Sequence, residues 1–179
     1  VGTFSKSLFP SLRLGFLLAP PALVGTLITM MSRVLHGVPT SVQATVAEFI
    51  DEGHFASHIR RMRRIYAERH EALRDAAQRR LAGLLDVVPS QSGLHTIGRL
   101  HSGLSELEVA RAAEARNITA SPIARFSIAP VPETGLVLGF GGIKPAEIEA
   151  GVGVLAEVIE GQMRQARKLA VTRKQSQAR

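Results

Sequence analysis

Cysteine is absent from this chain of 179 residues, tryptophan is absent, and tyrosine occurs once. Without thiols there can be no disulfides, no thiolate-held metal and no cysteine nucleophile. Their absence also fits a reducing compartment, so the expected location is the cytoplasm. Aromatic residues make up 4% of the chain, which leaves the core to aliphatic side chains. No apolar run approaches the roughly 18 residues that cross a bilayer, and no basic segment leads into an apolar one as in a secretory signal. No membrane contact is expected. The chain begins at Val1, not methionine, which suggests a piece of a longer protein.

Hydrophobic residues reach 45% and charged residues 21%, the balance of a soluble globular protein with a substantial core. The net charge of +7 invites a nucleic-acid reading. The excess, however, lies mainly in HIRRMRRIYAERHEALRDAAQRRL and in the terminal RKLAVTRKQSQAR. Glu68, Glu71 and Asp75 partly balance the first segment, which reads as the solvated face of a helix. The second lacks apolar periodicity and reads as a frayed end.

Residues 11–18 (SLRLGFLL) read as a buried strand, a short apolar run with Arg13 near its start. Pro20-Pro21 ends it and ALVGTLITMMSRVLHG follows as a helix, with Pro21 in the first turn. Val38-Pro39 breaks the pattern, and Thr40 or Ser41 is placed to cap a second helix ending at Gly53. A third helix is predicted over 55–84, with Ile59, Met62, Tyr66, Leu73, Ala77 and Leu81 on its apolar stripe. Texture changes near residue 86. DVVPSQSGLHTIGRL holds two strands around a break, and SELEVARAAEARN a helix with Ser105 as N-cap, Glu108 at its third position and Asn117 at its end. ITASPIARFSI and GLVLGFGG read as strands on either side of the turn-rich APVPETG. An amphipathic helix from Lys144 to Arg167 closes a β-β-α-β-β-α unit.

The chemistry is concentrated at the start. GTFSKSLFPSLR sets Lys6 among the hydroxyls of Thr3, Ser5 and Ser7, and a loop over 6–12 would return Arg13 beside them. Hydroxyls with a guanidinium fork suit a phosphate. A lysine beside them suits an aldehyde, and pyridoxal 5′-phosphate carries both groups. By composition alone this signal is weak, and the plain alternative, an exposed Lys6 with Arg13 in a salt bridge, is favoured.

GTFSKSLFPSLRLGFLLAP resembles the cofactor-lysine segment of fold-type I, aspartate-aminotransferase-like proteins. EFIDEGHFASHIRRMRRIYAERHEAL, GLHTIGRL and GLVLGFGGI extend the likeness over nearly the whole chain and resemble, more narrowly, the C-terminal domain of MocR-type regulators of the GntR superfamily. The resemblance implies an α/β fold. Residues 1–85 would be the end of a large cofactor-binding domain with its connecting helix, 86–166 a small α+β domain, and 167–179 a disordered basic tail. It implies pyridoxal 5′-phosphate held as a Schiff base on Lys6, with Thr3 and Arg13 on the phosphate and Ser5 beside them. It also implies a homodimer, a small amine or amino acid as effector or substrate, and DNA contact only through a winged helix upstream. The acidic and aromatic partners of the cofactor ring would likewise lie upstream.

The resemblance also marks a departure. Aminotransferases of this type place an arginine for the substrate carboxylate where VLGF puts Val137. That favours an effector-sensing domain over a catalytic aminotransferase, with a truncated, inactive piece as the third reading. Arg125 is a candidate replacement, with Arg99 behind it, although a surface or structural role is the favoured reading of both. His95 is placed to face a cleft or to serve the structure. His54 and His58 have the spacing of a metal pair but lack a third ligand, which favours capping or surface roles. Gly139, Gly141 and Gly142 match no phosphate loop and read as a strand-end turn.

Overall fold

Pro21 begins the first helix, where its missing N–H costs nothing. In the computed structural model, which describes residues 1–35, 39–90, 93–101, 103–129 and 132–177, the chain divides into two compact units, Val1–Arg63 and Arg64–Arg179. The readings at His36, Gly37 and Val38, at Gln91-Ser92, at Pro130-Val131 and at the last two residues lie outside the described residues.

The first unit holds a two-stranded antiparallel ribbon, β1 (Gly2–Thr3) and β2 (Gly15–Phe16), followed by α1 (Pro21–Leu35), α2 (Thr40–Asp51) and the start of α3 (His54–Arg80). The long buried strand expected over 11–18 is corrected here. A 3₁₀ turn takes Pro10–Leu12, the strand is two residues long, and Phe16, Leu17 and Leu18 are exposed. A ribbon of two strands supplies no second layer to cover them. Neither Thr40 nor Ser41 caps α2. Gln43 N–H already donates to the Pro39 carbonyl at 3.4 Å, so Pro39 is the last residue outside the helix. Gly53, at φ +77°, turns the chain into α3 in the left-handed conformation that glycine adopts at least cost.

The second unit is built on a four-stranded antiparallel sheet of β3 (Leu85–Val87), β4 (His95–Leu100), β5 (Ser121–Pro122) and β6 (Gly135–Gly139), in the order β3-β4-β6-β5. With α4 (Glu106–Glu114) and α5 (Pro145–Gln177) it has the β-β-α-β-β-α order read from the sequence. Period-two alternation turns Thr96, Gly98 and Leu100 of β4 inward and leaves His95, Ile97 and Arg99 outward. The core joins Leu81, Val109, Leu136 and Ile159 with Leu73 and Ala76 of α3. The unit therefore begins inside α3, upstream of the change in texture at residue 86.

Three expectations change in this unit. α3 ends at Arg80, short of Leu84, because the N–H groups of Leu84 and Leu85 both turn back to the Leu81 carbonyl while Gly83 takes φ +76°. ITASPIARFSI forms only the two-residue β5 and a 3₁₀ turn, Ile123–Phe126. Pro122 has no N–H with which to extend the ladder. The basic segment from residue 167 is not a frayed tail but continues α5 to Gln177, since its Ala, Arg, Lys and Gln residues favour helix and no Gly or Pro interrupts them. Among the described residues no helix is long and apolar enough to cross a membrane.

Candidate functional site

Pairing of β1 with β2 assembles the lysine segment. Gly2 stands opposite Phe16 and Thr3 opposite Gly15, so the chain leaves the ribbon at Phe4 and returns at Leu14. The Phe4 N–H donates to the Leu14 carbonyl at 3.0 Å and closes the loop. Close approach to backbone requires glycine at 15, whereas at Gly2 the near neighbour is the exposed Phe16 ring. A Cβ on Gly2 would lie 2.3 Å from the Phe16 ring, and one on Gly15 would lie 2.8 Å from the Gly2 carbonyl oxygen.

The hydroxyls converge inside this loop. Thr3 Oγ1 lies 3.0 Å from Ser5 Oγ and accepts the Ser5 N–H at 3.2 Å. It also lies 3.5 Å from the carbonyl oxygen of Leu14, the neighbour of Arg13. Lys6 follows in a turn closed by the Leu8 N–H on the Phe4 carbonyl at 2.8 Å, and its side chain is exposed. Arg13 ends the 3₁₀ turn at φ 50°, ψ 31°. Glycine holds that left-handed conformation without strain, whereas a side chain costs about 1 kcal/mol or more there. The position carries a guanidinium despite that cost. The β1–β2 ribbon and the loop that it closes thus carry Thr3, Ser5, Lys6 and Arg13, with the two hydroxyls in contact and the lysine and arginine exposed. Such a donor set fits a phosphate-bearing aldehyde such as pyridoxal 5′-phosphate.

α3 supplies contacts that sequence reasoning did not assign. Phe55 meets Phe4 edge-to-face at 5.9 Å, and Phe4 packs on Phe16 at 5.6 Å. His58 Nε2 lies 3.0 Å from the Ser7 carbonyl oxygen. His54, one turn earlier, pairs instead with the exposed carboxylate of Glu52 at 3.0 Å. The two histidines therefore have separate partners, and among the described residues no group of three or more His, Cys, Asp or Glu is placed to hold a metal. The missed signal was the i, i+3 spacing of Phe55 and His58, which puts both on one face of the helix.

Arg125 belongs to the second unit and is not part of this loop. It is exposed on the 3₁₀ turn and lines a groove of about 430 Å³ with Arg111, Glu106 and Glu114. Arg99 pairs with Glu133 at 3.3 Å on the surface. Val137 is half-buried on β6 and lines a cavity of about 330 Å³ with His95, Ser121, Thr119 and Phe126. Gly139 ends β6, and the N–H groups of Phe140 and Gly141 both turn to the Leu94 carbonyl, a strand-end turn. Glu106, to which the sequence reading gave no role, is a buried carboxylate. Its oxygens accept the Ala124 N–H at 2.9 Å and the Gly135 N–H at 2.7 Å.

Replacing Arg13 by Ala in the full-length protein is expected to weaken pyridoxal 5′-phosphate binding roughly 10- to 100-fold, the scale of charge-assisted hydrogen bonds. A spectroscopic titration measures it. Unchanged affinity would remove Arg13 from the phosphate.

LysN, an alpha-aminoadipate aminotransferase from Thermus thermophilus solved with N-(5′-phosphopyridoxyl)-L-leucine, is similar at a TM-score of 0.82 and 27% identity, over 90% of this chain and 41% of that one. A multiple substrate aminotransferase from Thermococcus profundus shares the fold at a TM-score of 0.82 and 23% identity, over 91% and 40%. The architecture is that of part of a fold-type I aminotransferase. The chain belongs to the aminotransferase class I and II family, which matches residues 1–154. The probable rhizopine catabolism regulatory protein MocR of Rhizobium meliloti is 37% identical over 155 residues, 87% of this chain and 31% of that protein. The HTH-type transcriptional regulator YhdI of Bacillus subtilis is 35% identical over 85% of this chain and 32% of its own length. The chain spans about a third of the length of these relatives.

Proposed function

We propose that this chain is part of an effector-sensing, pyridoxal 5′-phosphate-binding domain in a MocR-type transcription regulator. The observation that carries the cofactor reading is the β1–β2 register, which gathers Thr3, Ser5, Lys6 and Arg13 on one loop. When bound, the cofactor would supply an aldehyde able to condense with an amine with loss of water, and an electron-withdrawing ring. Lys6 offers the amine through the Nζ lone pair. Arg13 and the Thr3 hydroxyl hold the phosphate, and Ser5 orients the Thr3 oxygen. A small amine or amino acid would be the effector, with a homodimer as the working unit, DNA bound by an upstream winged helix, and the cytoplasm as location. The regulator reading rests on the likeness to MocR and YhdI.

A catalytic aminotransferase is the second reading, favoured by the 27% identity with LysN. Val137 opposes it, because an aliphatic side chain offers a substrate carboxylate no donor.

One experiment tests both steps. The full-length protein is incubated with pyridoxal 5′-phosphate, reduced with borohydride and mapped by mass spectrometry. The expected label is on Lys6, and a label confined to other lysines would defeat the cofactor assignment. Amines are then added to unreduced protein bound to its own upstream DNA. Altered DNA affinity without a released oxo product supports the regulator, whereas repeated product formation supports the enzyme.

A further inference from the structure

We propose that His58 is a positioning residue for Lys6, acting through the Ser7 carbonyl. This deepens the cofactor reading above and rests on it. Lys6 is the middle residue of the three enclosed by the hydrogen bond from Leu8 N–H to the Phe4 carbonyl. The start of this turn is fixed: Phe4 donates to Leu14 at 3.0 Å, and its ring packs against Phe16 and Phe55. The far side has Ser7, whose carbonyl oxygen meets His58 Nε2 at 3.0 Å across 51 residues of sequence. A carbonyl only accepts, so Nε2 carries the proton and donates. The imidazole thereby sets the Ser7–Leu8 peptide plane, the one whose N–H closes the turn around Lys6 on the Phe4 carbonyl. Phe55 and His58 project from one face of α3, so a single rigid helix grips both sides of the turn.

A lysine that must present its amine to an aldehyde gains from a fixed Cα, because the geometry is then settled before the cofactor arrives. Ser7 touches His58 through its backbone, which makes the contact independent of the residue at position 7. Lys6 itself needs no contact with the imidazole. His58 is therefore not a catalytic residue, since its effect passes through the loop.

The test uses the full-length protein and five variants. His58→Ala is expected to bind pyridoxal 5′-phosphate roughly ten-fold more weakly, the scale of one net hydrogen bond. His58→Gln, whose amide nitrogen can take the place of Nε2, is expected to restore most of that affinity. His58→Met keeps bulk without a donor and carries the expectation of Ala where Ala does not fold. His54→Ala, which removes the histidine paired with Glu52, is expected to bind as wild type. In cofactor-free protein, amide exchange at Leu8 is expected to quicken in His58→Met and not in His58→Gln. Wild-type affinity in both Ala and Met variants overturns the proposal, and so does a Gln variant as weak as Met. Unchanged Leu8 exchange in His58→Met overturns it without reference to cofactor. A wild-type protein that forms no adduct, or a Lys6→Ala variant that forms the same one, defeats the cofactor reading instead, while Leu8 exchange still reports on the loop.

Discussion

Lys6→Ala in the full-length protein is expected to abolish the covalent adduct with pyridoxal 5′-phosphate, leaving weak, reversible binding through the phosphate contacts. The effect is all-or-none because condensation needs a primary amine, and no other side-chain type supplies one. Within this chain lysine occurs only at positions 6, 144, 168 and 174. Lys6 alone lies in the first unit. Lys144 precedes α5, where its N–H donates to the Glu147 carboxylate at 3.0 Å as part of the helix start. Lys6→Arg keeps the positive charge but cannot condense, and it is expected to lose the adduct as completely as Ala. That pair of variants separates chemistry from charge. Restored adduct in the arginine variant would show that the label sits elsewhere. Absorbance of the bound cofactor before reduction, and the mass of the labelled peptide after it, give the two readouts.

The lysine loop was legible in sequence because its chemistry is local. Thr3, Ser5, Lys6 and Arg13 fall within eleven positions, and the loop expected over 6–12 lies inside the 4–14 connection that the ribbon closes. The order of elements in the second unit was legible for a similar reason: β4 announces itself by alternation and α4 by Ser105, whose Oγ accepts the Glu108 N–H at 3.4 Å. Burial was less legible. The apolar run 11–18 says that its residues favour an apolar environment, not where they find one, and Val46 is the only buried hydrophobic residue among those described in the first unit. Contacts between distant segments left the faintest trace. His54 and His58 look alike as letters, yet one partners Glu52 two residues away and the other partners Ser7 across 51.

Glu106 is the other such contact, and its removal is expected to have the largest effect on stability of any change considered. The side chain is 9% exposed, and each carboxylate oxygen takes one backbone N–H, from Ala124 and from Gly135. These N–H groups start the turn bearing Arg125 and the strand β6, so one residue of α4 ties together two segments that do not pair with each other there. In Glu106→Ala both donors lose their acceptor, the Gly135 N–H in the interior and the Ala124 N–H at its edge. An orphaned buried donor costs about 1–3 kcal/mol, so the pair is expected to cost about 2–4 kcal/mol, in the range of core truncations. Glu106→Gln is the sharper variant. One amide oxygen keeps one N–H, while the amide nitrogen, a donor, faces the other donor. Its cost is expected to fall between wild type and Ala if loss of acceptors dominates, and to equal or exceed that of Ala if donor–donor repulsion does. Denaturant midpoints of the full-length protein distinguish these outcomes. A Glu106→Ala midpoint within about 0.5 kcal/mol of wild type, the range of ordinary surface substitutions, would mean that water reaches both N–H groups and that the carboxylate does not hold the turn. Otherwise the groove beside Arg125 owes its wall to a buried charge on α4, and a change at Glu106 will move Arg125 without touching it.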